Sequence, residues 1–362
     1  MKTVLILCGG KSEEHEISLI SAHYVLEALD RNLFKPVVVG ISRKGKWYLE
    51  DEKAFFKGPV RADKISLNED APSVQLSPFT SDSGRGLLDV RGKKIEFDVV
   101  FPILHGPFGE DGTLQGLFDI VGVPYVGPNC GSSWICMDKG LTKVVCKYWG
   151  IRVADFVCIS SMAELEQRTE EIAALGSTLF VKPARLGSSV GITKVKRPDE
   201  LKPAVASAFK HDSKVLIERA IVGREIECAV LGLNRSPRAA LPGEIVPNKT
   251  IGFYSYEAKY LLPDGAELFA PAQLNSSTTK AVQQFALNAF QRLECDGMAR
   301  MDLFLEHPSG LLYLNEANTI PGFTPISMYP KLWLASGLTY TQLITELLNL
   351  AFARVNPSNP SL

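Results

Sequence analysis

The chain reads as an α/β (α+β) protein whose first part is a parallel sheet with helices on its faces, and three observations predict this. Short apolar runs alternate with segments of helical period over the first hundred residues, the β-α-β order that builds parallel sheets. Two of the runs stop at glycine-bearing turns, Gly9-Gly10 and His105-Gly106. The third observation is size: 362 residues, 46% hydrophobic and 22% charged, suffice for two or three domains with a core in each.

Taken in order, Val4–Leu7 is a buried strand, and Leu19, Ala22, Val25, Leu26 and Leu29 recur at helical spacing. Val37–Ile41 and Phe97–Leu104 are further strands. Ligands of such sheets bind beyond the carboxyl ends of the strands, so Gly9-Gly10 and His105-Gly106 mark a candidate site. The stretch Asp51 to Gly92 has mixed polarity and reads as a peripheral insertion, whose pattern assigns it neither helix nor strand. A boundary falls at Tyr125–Asn129, before a helix carrying Lys139, Lys143 and Lys147. Strand Leu179–Lys182, a Gly/Ser loop and strand Val215–Glu218 follow, then strand Ile226–Leu231 and a polar loop at Thr250–Tyr260. Strands Met298–Glu306 and Leu312–Glu316, helix Tyr340–Phe352 and a polar tail Asn356–Leu362 complete the chain.

The formal net charge of −1 argues against nucleic acid or an anionic membrane as partner. The apolar run after Lys2 is too short for a signal peptide, and no stretch reaches the length of a membrane span. A cytoplasmic protein is expected. Seven cysteines, with no Cys-x-x-Cys pair, speak against a disulfide framework or zinc site and for reduced, buried thiols.

Two stretches carry chemistry. In Phe180–Gly191 a buried strand delivers Lys182 into a loop with two glycines and two serines. Loop N–H groups and hydroxyls can wrap phosphate oxygens while the lysine neutralises charge; a surface loop after an edge strand would have the same sequence. The second stretch pairs Ala299–Phe304 with Tyr313–Asn318. Alternation puts Arg300 and Asp302 on one face, and Glu316 and Asn318 on one face. A hairpin across the five-residue loop His307–Leu311 would set Asp302 opposite Glu316 and Arg300 opposite Asn318. Close carboxylates repel unless a cation sits between them, and oxygen ligands favour Mg²⁺; a solvated face with ordinary ion pairs is the alternative. Taken singly, Glu218, Glu225 and Glu227 read as exposed strand carboxylates and Lys139 as a solvated helix lysine, whereas the strand-end position of His105 favours a functional role.

The order of these motifs resembles the ATP-grasp superfamily and, within it, the D-alanine–D-alanine ligase family, from about Val4 to about Leu350. The resemblance rests on the run Gly9 to Ser18, on His105-Gly106 with Gly109 to Gly116, and on Met137-Asp138-Lys139. It continues through the Lys182–Gly191 loop, Tyr256-Glu257-Ala258-Lys259-Tyr260, Asn315 to Thr319, and Pro321 to Thr324. It implies an ATP-grasp fold: a Rossmann-like substrate domain (1–127), a central subdomain (128–222), and a C-terminal subdomain with the metal and catalytic residues (223–362). It also implies ligation of two D-alanine molecules, with ATP as co-substrate, for peptidoglycan precursor synthesis, in a homodimer.

By the same resemblance Lys139 and Lys182 contact the ATP phosphates, with Ser188, Ser189 and Asn315 beside them. Glu218, the backbone of Ala220 and Ile221, and Glu225 hold adenine and ribose; an aromatic found at the hinge in some relatives is Ala220 here. Asp302, Glu316 and Asn318 bind two Mg²⁺ ions, with Mn²⁺ as a substitute. Glu14 pairs with the first substrate ammonium, and His105 lies near its carboxylate. Arg300 and the Gly322 N–H stabilise the oxyanion. Ser327 and Lys259 hold the second carboxylate, Lys259 also approaching the terminal phosphate. Ser188 and Tyr260, linked to Glu14, fix a lid, and a tyrosine at 260 favours an amine as second substrate. Another ATP-grasp carboxylate–amine ligase would keep the metal residues but lack the Glu14 segment and Tyr260. A non-catalytic nucleotide-binding relative would have lost metal ligands.

Overall fold

The computed structural model describes residues 1–55, 60–77, 87–90, 93–248 and 265–355. The expected loop Thr250–Tyr260 and the tail Asn356–Leu362 lie outside them. Val4 to Leu7 are completely buried, and the strand that holds them, Lys2–Gly9, runs parallel to Phe34–Ile41 on one side and Val99–Ile103 on the other. Alternation sends Val4, Ile6 and Cys8 to one core and Leu5 and Leu7 to another. The first face is covered by helix His15–Ala28, through Leu19, Ala22, Val25 and Leu26. The C-terminal helix Tyr340–Val355 joins it through Leu343, Ile344, Leu347 and Leu348. Helix Thr113–Val121 covers the other face with Leu114 and Phe118. The expected insertion contributes Ser73–Ser77 and Leu87–Val90, which with the flanking Trp47–Glu50 and Lys93–Glu96 add antiparallel strands at the edge of this sheet.

Two antiparallel sheets follow. The four-stranded one runs Thr193–Val195, Leu179–Pro183, Val215–Arg219, Phe156–Ile159. Helix Pro198–Ala208 backs it, with Val205 and Ala208 in one cluster with Val181 and Ile217. The larger sheet runs Ala266–Phe269, Gly243–Pro247, Gly223–Gly232, Gly297–Glu306, Leu312–Asn318. Helix Ser276–Arg292 buries Val282, Ala286, Ala289 and Phe290 on one of its faces. The core under the first sheet runs on into this one, because Ala229, Leu231, Met298, Phe323 and Tyr329 share a cluster with Val4 and Ile6.

The hairpin that carries the acidic residues has an irregular register. Next to the loop the pairs are Leu305↔Leu312, Phe304↔Tyr313 and Leu303↔Leu314; further on they are Asp302↔Glu316, Met301↔Ala317 and Arg300↔Asn318. The expected pairing at the acids is present, but an uninterrupted ladder from this turn would set Asp302 opposite Asn315. A bulge at Asn315 supplies the extra residue.

Among the described residues no helix is long and apolar enough to cross a membrane. The described cysteines are free thiols, five of them buried. The C-terminal helix is pinned by Arg354, which donates to Gly127 O at 2.6 Å and Tyr125 O at 2.9 Å and stacks 4.0 Å from the Tyr125 ring centre. Arg354→Ala is expected to lower stability by about 2 kcal/mol. A shifted urea midpoint at unchanged slope would register this loss, and an unmoved midpoint would refute it.

Candidate active site

Lysines come first, because the fold buries them. Asp138 caps helix Lys139–Tyr148 by accepting from Leu141 N at 3.0 Å, and Lys214 anchors it at 2.9 Å. Lys139 Nζ donates to Leu186 O at 2.6 Å and lies 3.3 Å from Glu316 Oε2. Lys182 pairs with Glu218 Oε1 and donates to Asn315 Oδ1 at 3.3 Å. On the other side of Glu218, Lys143 Nζ stands 3.0 Å from Oε2. Glu218 is thus no exposed strand carboxylate, being 2% exposed. Burial alone would raise its pKa, but Lys143 and Lys182 outweigh it and hold the group at about 2. Burial pushes the Lys143 ammonium down, opposed by the charge of Glu218.

Facing the lysines is the bulged hairpin. Arg300 grips Asp302 with Nε at 2.7 Å and Nη2 at 2.8 Å, and its Nε lies 3.1 Å from Glu227 Oε2. Asn318 Nδ2 donates to Asp302 Oδ2 at 2.7 Å. Burial works against the Arg300 charge, but Asp302, Glu227 and Glu316 outweigh it and raise its pKa. Among the described residues no three His, Cys, Asp or Glu side chains gather at metal distance; the set here is two carboxylates and an amide. Asp302, Glu316 and Asn318 lie on paired residues of adjoining strands, and all are hard oxygen donors, so their chemistry fits Mg²⁺.

Two clefts meet at this wall. One lies between the two antiparallel sheets and is lined by Lys139, Lys182, Ser189, Glu218, Glu225 and Asn315, with Phe180, Ile192 and Phe304 as apolar surfaces. The other is lined by Glu14, Ser188, His105, Arg300, Gly322 and Ser327. Gly187, Glu227, Ile245 and Glu316 line both. Ile221 reaches the first cleft, but the Ala220 N–H donates to Thr178 O at 3.0 Å. The Ala220 N–H thus serves the sheet edge, and its carbonyl is the backbone group it can offer a ligand.

The second cleft opens at the strand ends read from the sequence. Gly9 has φ +88°, and a Cβ there would lie 2.3 Å from Ile41 O, so only glycine allows the turn. Glu14 accepts from Ser188 Oγ and ties down a loop in which Ser188 and Ser189 adopt φ +50° and +62°, a costly conformation for residues with a Cβ. His105 Nδ1 donates to Ile320 O at 2.9 Å, and Nε2 faces Ser21 Oγ at 3.3 Å. Burial lowers its pKa, so the ring is neutral. Ser327 Oγ accepts from Thr324 N at 3.0 Å at the start of helix Met328–Ala335. Lys259 and Tyr260 lie outside the described residues.

Sequence reading missed five contributors. Glu227 is buried opposite Asp302. Lys143 looked like any helix lysine. Phe180 and Phe304 stand two residues from Lys182 and Asp302, an alternation signal that was available. Glu110 accepts from Gly106 N at 2.7 Å and Ile320 N at 3.1 Å, and burial, with the Glu14 charge, pushes it up to about 8.

Comparison with known proteins is consistent along the whole chain. A family model described as D-ala D-ala ligase N-terminus matches residues 3–128, and one described as D-ala D-ala ligase C-terminus matches residues 145–349. The D-alanine–D-alanine ligase of Shouchella clausii is 45% identical over 356 residues, 98% of this chain and 95% of the relative. The solved D-alanine–D-alanine ligase of Coxiella burnetii superposes with a TM-score of 0.85 at 37% identity, covering 99% of this chain and 96% of that one. The VanG D-Ala:D-Ser ligase of Enterococcus faecalis gives 0.86 at 37% identity, covering 97% and 99%.

The lysine clamp on Glu218 makes stability depend on acid. Its folded pKa, about 2, lies below the ordinary 4.5, so the stabilisation is complete above pH 4.5 and is lost as pH falls towards 2. Wild type should exceed Glu218→Gln by about 3 kcal/mol at neutral pH, the gap closing across that window. Urea melts at several pH values measure it, and a gap that persists unchanged at pH 2 would refute the clamp.

Proposed function

The chain belongs to the D-alanine–D-alanine ligase family, and from that membership we propose that it joins two D-alanine molecules into D-alanyl-D-alanine with consumption of ATP. The observation that carries this reading is the meeting of the two clefts at Glu316, Glu227 and Gly187. A nucleotide in the first cleft, its phosphates at Lys139 and Lys182, has its terminal phosphate at the wall that also bounds the amino-acid cleft. Phe180 and Phe304 supply flat apolar surface for the base, and Glu218, Glu225 and the backbone of Ala220 and Ile221 hold adenine and ribose.

In the first step a carboxylate oxygen of one D-alanine attacks the γ-phosphorus, giving the acyl phosphate and ADP. Two anions must approach, and the lysines reduce their repulsion. Asp302, Glu316 and Asn318 would hold two Mg²⁺ ions, whose charge supplies electrostatic stabilisation to the phosphoryl group. Glu14 holds the ammonium of this substrate, and neutral His105 borders its carboxylate without adding charge. In the second step the amine of the other D-alanine attacks the acyl carbon, the oxyanion is stabilised by Arg300 and the Gly322 N–H, and phosphate leaves as the C–O bond breaks, taking up the proton that the nitrogen loses. Ser327, at a helix start, takes the second carboxylate together with Lys259. Ser188, Glu14 and Tyr260 close the site against water. The division at 1–127, 128–222 and 223–362, a homodimer and a cytoplasmic role in peptidoglycan precursor synthesis complete the reading.

Phosphate release from ATP and Mg²⁺ should depend on D-alanine. Release driven only by another acid and amine would favour a different ligase, and none at all a non-catalytic binder. Glu316→Ala is expected to cut this release by about 10²–10³ or more while leaving the unfolding midpoint in place. Near-normal activity of that variant at low Mg²⁺ would dismiss the metal role.

A further inference from the structure

The first cleft rests on an ion cluster of uneven composition. Lys143 and Lys182 share the carboxylate of Glu218, and each lysine takes one of its oxygens. Their side chains are 1%, 8% and 3% exposed, in that order. Lys182 and Glu218 line the cleft; Lys143 lies behind Glu218 and does not. Among the described residues the Lys143 ammonium has Glu218 Oε2 as its ion-pair partner, at 3.0 Å. Burying a second ammonium beside one carboxylate costs stability, and Glu218 keeps Lys182 as a partner without it. An unbranched apolar side chain of similar length would fill the same space.

We propose that Lys143 is a positioning residue for the nucleotide: by engaging one oxygen of Glu218 it leaves the Lys182 ammonium with unmatched positive charge facing the phosphates. This rests on the reading of the first cleft as the nucleotide site. Two ammonium groups and one carboxylate leave an excess of one positive charge, and at such burial salt screens it poorly. A polyphosphate entering the cleft brings the missing anion. Without the Lys143 charge, Glu218 and Lys182 form a self-sufficient pair, and the attraction for phosphate falls.

The distinguishing experiment compares a charged ligand with an uncharged one. By calorimetry, Lys143→Met is expected to bind ADP about tenfold more weakly than wild type while binding adenosine within about twofold of it. Its urea midpoint should equal or exceed that of wild type. Lys143→Met combined with Glu218→Gln restores one unmatched ammonium, so ADP affinity relative to adenosine should recover most of its loss. Equal ADP affinity in wild type and Lys143→Met, a parallel loss for ADP and adenosine, no recovery in the double variant, or a Lys143→Met chain that does not fold would each overturn the proposal. A wild-type protein that binds neither ligand would overturn the nucleotide reading instead.

Discussion

One extra residue in one strand decides which side of the large antiparallel sheet carries the chemistry. The turn after Glu306 sets Leu305 against Leu312, and without the bulge at Asn315 every later residue would pair one position out. Because side chains alternate with a period of two, such a slip turns a whole strand face over. Asp302 would then oppose Asn315, and Glu316 would point towards the core built by Ala286 and Phe290 rather than towards Lys139. The bulge thus lets an apolar hairpin pack on helix Ser276–Arg292 while presenting its acids to the cleft.

Charge organises both walls of that cleft in a low-dielectric setting where unmatched groups are expensive. On the acidic side Arg300 answers Asp302 and Glu227, and on the basic side Glu218 answers two lysines. Lys139 bridges the walls by contacting Glu316 and the Leu186 carbonyl. Glu14 reaches from the first sheet to Ser188 and supports a backbone that serines would otherwise avoid. One arginine between two carboxylates and one carboxylate between two lysines leave the two walls with excess charge of opposite sign.

The amino-acid cleft is built differently. His105 and Glu110, both beyond the end of the strand Val99–Ile103, fasten to the carbonyl and the N–H of Ile320. The same core cluster runs beneath them from Val4 to Phe323 and Tyr329. Hydrogen bonds above and apolar packing below therefore set the spacing between Glu14 and the Gly322–Ser327 loop, a separation that orientation-dependent chemistry requires.

Much of this was legible in local pattern. Apolar runs ending at Gly9 and His105, helical spacing from Leu19 to Leu29, and alternation through Arg300, Asp302, Glu316 and Asn318 encode strands, helices and faces, because each depends on neighbours close in the chain. The motif order from Gly9 to Thr324 carried the family. Tertiary structure alone decided which face meets which. Lys143 and Glu218 carry ordinary signatures of solvated residues until a strand and a helix from separate parts of the chain bury them together. Glu227 becomes part of the acidic wall only once Gly223–Gly232 pairs with Gly297–Glu306, and the Ala220 N–H is taken by Thr178 across a gap of forty-two positions. Local periodicity sets the direction of a side chain, but its charge state and partners follow from long-range packing, which removes water from some polar groups and leaves it on others of the same kind.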